Sequence, residues 1–278
     1  MTKHIGDVVM KIIINTAKIV SPLIIFIIFL IFNYFTYEGV NESVEKYCLY
    51  DIVHIIICDL IAILIFGLIY KFFYIKILNS EKYKIKIFDF RCVLGIVLIV
   101  PFVIVAEYTV AFWIYGGLND TFVAEEFRPE WKELCWYTFH GVLIAPVLEE
   151  LVLRILMISQ FRSVKAKTAA IIISSLIFSM LHSGSFVVKS VDFLTGIVLA
   201  LTLVISKNIF LPVLIHASSN FAVSLLWLIQ HINSNLIVVD VNTGASKVDI
   251  KIMACAVAAA FVGVLLIVFA KKDKKNMA

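Results

Sequence analysis

Apolar residues run through this chain in long blocks, broken by short stretches where Lys, Asp, Glu, Asn and Ser gather. A helix needs about 20 consecutive apolar residues to span the hydrocarbon of a bilayer. Blocks of that kind fall at 19–36, 52–70, 93–116, 136–158, 169–187, 191–206, 209–230 and 252–270. The pattern predicts an all-α fold, a polytopic membrane bundle of about eight transmembrane helices. The sixth block is short. The seventh contains Pro212, and with Ser206 before it and Ser218 and Ser219 within it an irregular helix start is expected, tolerated where it lines a cavity. The first block is longer than the apolar core of a signal peptide, about 7–15 residues, and no small-residue cleavage site follows it, so it reads as a retained helix.

Composition agrees with the pattern. The 278 residues are 62% hydrophobic and 16% charged, with mean hydropathy +1.02, whereas soluble domains average about 45–50% apolar and about 25% charged. No polar stretch is long enough for a soluble domain, so 1–278 reads as a single membrane domain. With both termini cytoplasmic, 17 of the 24 Lys and Arg fall in inside segments, 6 outside and one, Arg154, within a span. Positive charge is expected to stay inside. The loop 71–91 and the tail Lys271-Lys272-Asp273-Lys274-Lys275 dominate the asymmetry, while 38–51 and 120–133 lean acidic and are expected outside. The net charge of +4 then serves contact with anionic lipid headgroups, and nothing in the chain suggests a nucleic-acid partner.

Other features add less. None of the five cysteines sits in a CxxC, and most lie in or beside apolar runs as small hydrophobes; a bridge between Cys48 and Cys135, both on the expected outer side, is the alternative. Twenty Lys against four Arg, with abundant Ile, Asn and Phe, fit an AT-rich genome and the cytoplasmic membrane of a bacterium. The stretch 120–135, with Trp131, Trp136 and Tyr137 at its end, reads as an interfacial segment marking the membrane boundary.

Ionisable side chains inside apolar blocks carry the chemistry. A charge at the bilayer centre costs roughly 2.5 to over 10 kcal/mol, so such groups pair with one another or face a water-filled cavity. Three short patterns hold them: Glu149-Glu150-x-x-x-Arg154, Phe178-x-x-x-His182 and His216-x-x-x-Asn220. Glu150 and Arg154 are four apart with the acid first, the favourable order for a helical ion pair. That leaves Glu149 without a partner by local sequence, placed as a general base for water would be; a protonated Glu bonded to a neighbouring helix is the structural alternative. Phe178 lies one turn before His182 and can orient the imidazole. His216 and Asn220 share one helix face, suited to donating hydrogen bonds or to holding helices together. Counted from the inner ends of their blocks, His216 and His182 differ in depth by roughly 10 Å, which tilt, the short sixth block or a break at Pro212 would have to absorb.

The three patterns together resemble the CPBP intramembrane proteases, also called the Abi or type II CAAX prenyl protease family. Their motifs, EExxxR, FxxxH and HxxxN, stand here as EELVLR, FSMLH and HASSN. The resemblance covers about 136–230. It implies that Glu149 activates water with His182, that His216 and Asn220 stabilise the oxyanion, and that Glu150 and Arg154 support the site. It also implies a hydrophobic or lipidated peptide substrate, with bacteriocin maturation, signal-peptide processing or self-immunity as settings among bacterial relatives.

Alternatives remain open. Glu149, His182 and His216 could form a His₂Glu zinc site with an open position for water; Asn220 is a poor zinc ligand, which favours a scheme without cofactor or metal. No HExxH, GxGD or GxSxG pattern is present, and Ser183 and Ser185 have no base placed for them by sequence. A non-catalytic receptor or immunity protein would use the same cavity to bind a peptide or partner. A transporter would show inverted repeats, and none is visible.

Overall fold

The computed structural model describes residues 49–77, 89–111, 134–135, 138–182, 186–232, 237–239 and 246–276, with single positions 10, 13, 14, 16, 17, 20, 21, 24, 25, 27, 28, 31, 82, 83 and 85. Helix α1 (Leu49–Ile69) continues as a π-helical stretch, Tyr70–Ile77, and α2 is Phe90–Ala111. A composite helix follows: π-helical His140–Ile144, α3 at Ala145–Glu149, and π-helical Glu150–Leu156. Then come α4 (Val164–Leu181), α5 (Phe186–Ser206), α6 (Phe210–Ile232), strands β1 (Ile237–Val239) and β2 (Ser246–Val248), and α7 (Ile250–Asn276).

Among the described residues five helical stretches are long and apolar enough to cross a membrane: Ile56–Ile75, Val164–Leu181, Val188–Ser206, Phe210–Ile229 and Ile250–Ile267. Phe90–Ala106 is a shorter apolar helix. Most of the expected first span, 19–36, lies outside the described residues, and so do the N-terminal end, Cys48 and the aromatic segment around Trp131, Trp136 and Tyr137. Among the described residues, the other seven expected spans correspond to five helices of spanning length, one shorter helix and the composite. The small antiparallel pair, Ile237 opposite Val248 and Val239 opposite Ser246, is the one departure from an all-α pattern among the described residues; strands of three residues are too short to leave an alternating pattern.

Contacts along the chain form two units, Met1–Lys84 with Val147–Ser174, and Ile85–Pro146 with Ser175–Ala278. In the first, the stretch from Val152 to Gln160 is buried on every side. A helix buried all round belongs inside a bundle rather than on its surface. α1 and the Tyr70–Ile77 stretch pack against it. The Tyr74 hydroxyl donates to Ser21 Oγ at 3.1 Å, Ser21 donates to Gln160 Oε1 at 3.3 Å, and Gln160 Nε2 reaches the Met157 carbonyl. In lipid, where apolar contact alone gives helices little reason to associate, such bonds set which helices meet. Leu60, Leu64 and Leu68 of α1 face outward, a pattern suited to acyl chains.

In the second unit α2 packs against both α6 and α7. The α2–α7 crossing is closed by glycines: a Cβ on Gly95 would stand 2.7 Å from the Gly263 carbonyl oxygen, and one on Gly263 2.6 Å from that of Gly95. Val100 and Ile104 of α2 bury against Ala222 of α6, with Ile215 beside them. Pro101 sits inside α2 without breaking it. Pro212 falls in the first turn of α6, where its missing N–H leaves no helical bond unmade. The chain enters α6 through a tight turn in which Lys207 takes φ 52° and Asn208 Oδ1 accepts from the Phe210 N–H at 3.2 Å.

Candidate active site

Glu149 and Glu150 are adjacent yet differently placed. Glu150 is fully buried, Glu149 only partly. The Arg154 Nε lies 3.4 Å from Glu150 Oε2, both side chains sealed from solvent, and Arg154 Nη1 donates to the Ser174 carbonyl of α4 at 3.2 Å. The expected ion pair is therefore present, and it does more than brace its own helix, because the guanidinium also ties the composite helix to α4. The π-helical winding of Glu150–Leu156 was not legible from hydropathy. Such segments are rare and concentrate at functional sites.

His182 does not lie within its helix as expected but just past the end of it. Helix α4 starts at Val164 instead of near 169, because Ser163 Oγ accepts from the Ala166 N–H as an N-cap, and it ends at Leu181. The His182 ring folds back over the last turn: Nδ1 lies 2.8 Å from the Phe178 carbonyl oxygen. A carbonyl can only accept, so this nitrogen carries the proton, and in the neutral ring Nε2 presents its lone pair. Imidazole at a helix C-terminus also meets the negative end of the dipole.

Phe178 is the platform of the site. Its ring centroid is 4.4 Å from that of His182 and 5.3 Å from that of His216, the latter nearly edge to face at 76°. His216 is buried, on the second turn of α6. The second and third motifs, 34 positions apart from His182 to His216, thus meet on one phenyl ring, and the depth difference counted along the sequence is no obstacle to that meeting. Asn220, one turn beyond His216, donates from Nδ2 to the Gly141 carbonyl at 2.7 Å. That contact, and the Arg154–Ser174 bond, were missed at the sequence level; Pro146, an imino acid within a helical block, was the signal for the first.

A cleft of about 290 Å³ lies between α2, α5 and α6, lined by Ile96, Val100, Val103, Val198, Ile215 and Ser219. Its wall is almost wholly apolar, sized for an aliphatic side chain or part of a lipid chain. Ser183 and Ser185 lie outside the described residues. Cys135 is a free, exposed thiol.

Residues 131–222 match the family model described as type II CAAX prenyl endopeptidase Rce1-like. The match makes this region similar to the CPBP/CAAX proteases. The matched stretch contains all three motifs, from Glu149 to Asn220. No curated protein and no solved structure matches the chain. With helices of spanning length on both sides of the matched stretch, the protein is an integral membrane protein.

Proposed function

We propose that the protein is a membrane-embedded endopeptidase that hydrolyses peptide bonds of hydrophobic or lipidated peptides using a glutamate-activated water. The observation that carries this reading is the seating of His182 and His216 on the single ring of Phe178, inside a stretch similar to CAAX proteases. Glu149 takes a proton from water, and His182, with Nε2 unprotonated, accepts the second water hydrogen bond and aims the nucleophile. The hydroxyl adds to the scissile carbonyl. His216 and the second Asn220 amide hydrogen donate to the oxyanion, each such donor supplying roughly 3–4 kcal/mol in a dry site. Glu149 then returns the proton to the leaving amine, a step in which positioned acid–base groups contribute about 10²–10⁴ in rate. Glu150 and Arg154 hold the composite helix against α4, which carries Phe178 one turn beyond Ser174. The apolar cleft between α2, α5 and α6 supports a greasy substrate that arrives from within the bilayer.

Zinc is the second reading, favoured by one observation. His182 Nδ1 donates to the Phe178 carbonyl, which in the neutral ring leaves Nε2 free for a ligand, the arrangement metal-ligating imidazoles usually show. Glu149, His182 and His216 would hold the ion, and it would supply Lewis-acid polarisation and a more acidic water. In either case the setting we propose is a bacterial cytoplasmic membrane, with peptide maturation or self-immunity as the biological use.

The test compares membrane peptides and new protein termini from cells expressing the native chain or Glu149→Gln at matched levels. Termini found only with the native chain support proteolysis and name the substrate; loss of those termini in a chelator, with return on added zinc, selects the metal reading. Identical profiles, with the variant stable and inserted, overturn the protease reading in favour of a receptor or immunity protein.

A further inference from the structure

Asn220 and Pro146 lie on different helices, yet the backbone between them forms a single device. In the His140–Ile144 stretch the Ala145 N–H donates to the His140 carbonyl, five residues back. The next carbonyl, Gly141, would take its donor from residue 145 in an α-helix or from residue 146 in a π-helix. The first is committed to His140 and the second is Pro146, which has no N–H. Neither register can satisfy Gly141. The atom that does so is Asn220 Nδ2, at 2.7 Å.

The π-turn has the same cause. A proline ring inside a helix collides with the carbonyl four residues earlier, and widening the turn before it relieves that collision. Pro146 therefore both opens the turn and removes the donor.

We infer that Pro146 is a positioning residue for Asn220: by withholding a backbone donor it reserves the Gly141 carbonyl for the Asn220 amide. Because a carbonyl only accepts, the nitrogen of the amide must face it, which settles the amide orientation and rules out the flipped form. The amide is planar, so one bond fixes the line of the second N–H as well. What that second N–H does rests on the oxyanion role given to Asn220 above; that Pro146 fixes it does not.

The experiment is a thermal-unfolding cycle in detergent on the full chain, with native protein, Asn220→Ala, Pro146→Ala and the double variant. Asn220→Ala leaves a partly buried carbonyl unmet in the native background, and is expected to lower Tm by roughly 4 °C. In the Pro146→Ala background residue 146 has an N–H of its own to offer, and the Asn220→Ala loss falls to less than about half of that. Equal losses in both backgrounds overturn the proposal. A spectroscopic arm reads the amide itself. In native protein labelled with ¹⁵N-asparagine, with the Asn220 signal identified by its disappearance in Asn220→Asp, one Nδ2 proton is expected to be protected from exchange. Pro146→Ala should move that signal and leave other asparagines in place. An unprotected Asn220 amide in the native protein sinks the inference even if no variant folds. Neither arm measures cleavage, so an inactive but coupled protein would count against the protease reading alone.

Discussion

Two glutamates side by side are placed differently, because Arg154 stands four residues after Glu150 whereas Leu153 stands four after Glu149. Glu150 is sealed with Arg154, and removing one member of such a buried pair leaves an uncompensated charge, at a cost of about 3–5 kcal/mol. Arg154→Gln and Glu150→Gln should each lower stability on that scale in detergent melts. Glu149→Gln should change it by less than about 1 kcal/mol and still reduce cleavage at least about 10²-fold. If Glu149→Gln destabilises as much as its neighbour, the carboxylate is structural. Phe178 allows a second distinction. Phe178→Leu keeps an apolar group of similar reach but takes away the ring on which both imidazoles rest, contacts worth about 0.5–1.5 kcal/mol each. The expected outcome is a folded protein with cleavage reduced about 10-fold or more, measured on the termini found with the native chain. The Glu150–Arg154 pair was legible in the sequence because i,i+4 spacing encodes it. The Asn220–Gly141 bond was not, since its partners stand 79 positions apart and the acceptor is a backbone carbonyl, which hydropathy does not mark.

Elements show the same division. Hydropathy located α1, α2, α5, α6 and α7 to within a few residues because lipid demands continuous apolar runs, and lipid is indifferent to how the backbone ladder winds. The π-helical stretches at 70–77, 140–144 and 150–156 were therefore invisible, and α4 was placed too late because its first turn is held by the Ser163 cap rather than by apolar residues. Helix crossings are equally silent in hydropathy but sharp in geometry. At Gly95 and Gly263 the α2 and α7 backbones approach so closely that an added methyl would strike a carbonyl oxygen. Gly263→Ala should force the helices apart and cost about 1–3 kcal/mol. Gly67→Ala is the control, since nothing lies within 4 Å of a Cβ there, and helix propensity makes it neutral or stabilising by up to about 1 kcal/mol. Equal Tm values for the two variants would show that the crossing does not need glycine.

At the scale of the whole molecule, orientation in the membrane decides which side the site opens to. If positive charge stays inside, Arg162, Lys165 and Lys167 are cytoplasmic, the first turn of α4 stands in the headgroups and the hydrocarbon begins near Ala169. From there Phe178 lies about 13 Å deep at 1.5 Å per residue, and His216 about 10 Å deep from Ile209. Counted at Phe178 instead of His182, the depths agree to a few ångströms, because the His182 ring reaches back to the Phe178 carbonyl. Both values fall in the inner half of a hydrocarbon core about 30 Å thick, so with cytoplasmic termini the site faces the cytoplasm. The expected outcome is a fluorescent C-terminal green fluorescent protein fusion and an active alkaline phosphatase inserted at 240–245, between β1 and β2. The reverse pair of results would invert every helix and put the site in the outer half. A peptide substrate would then have to come from the opposite face, and the basic tail at 271–275 would lie against the wrong leaflet.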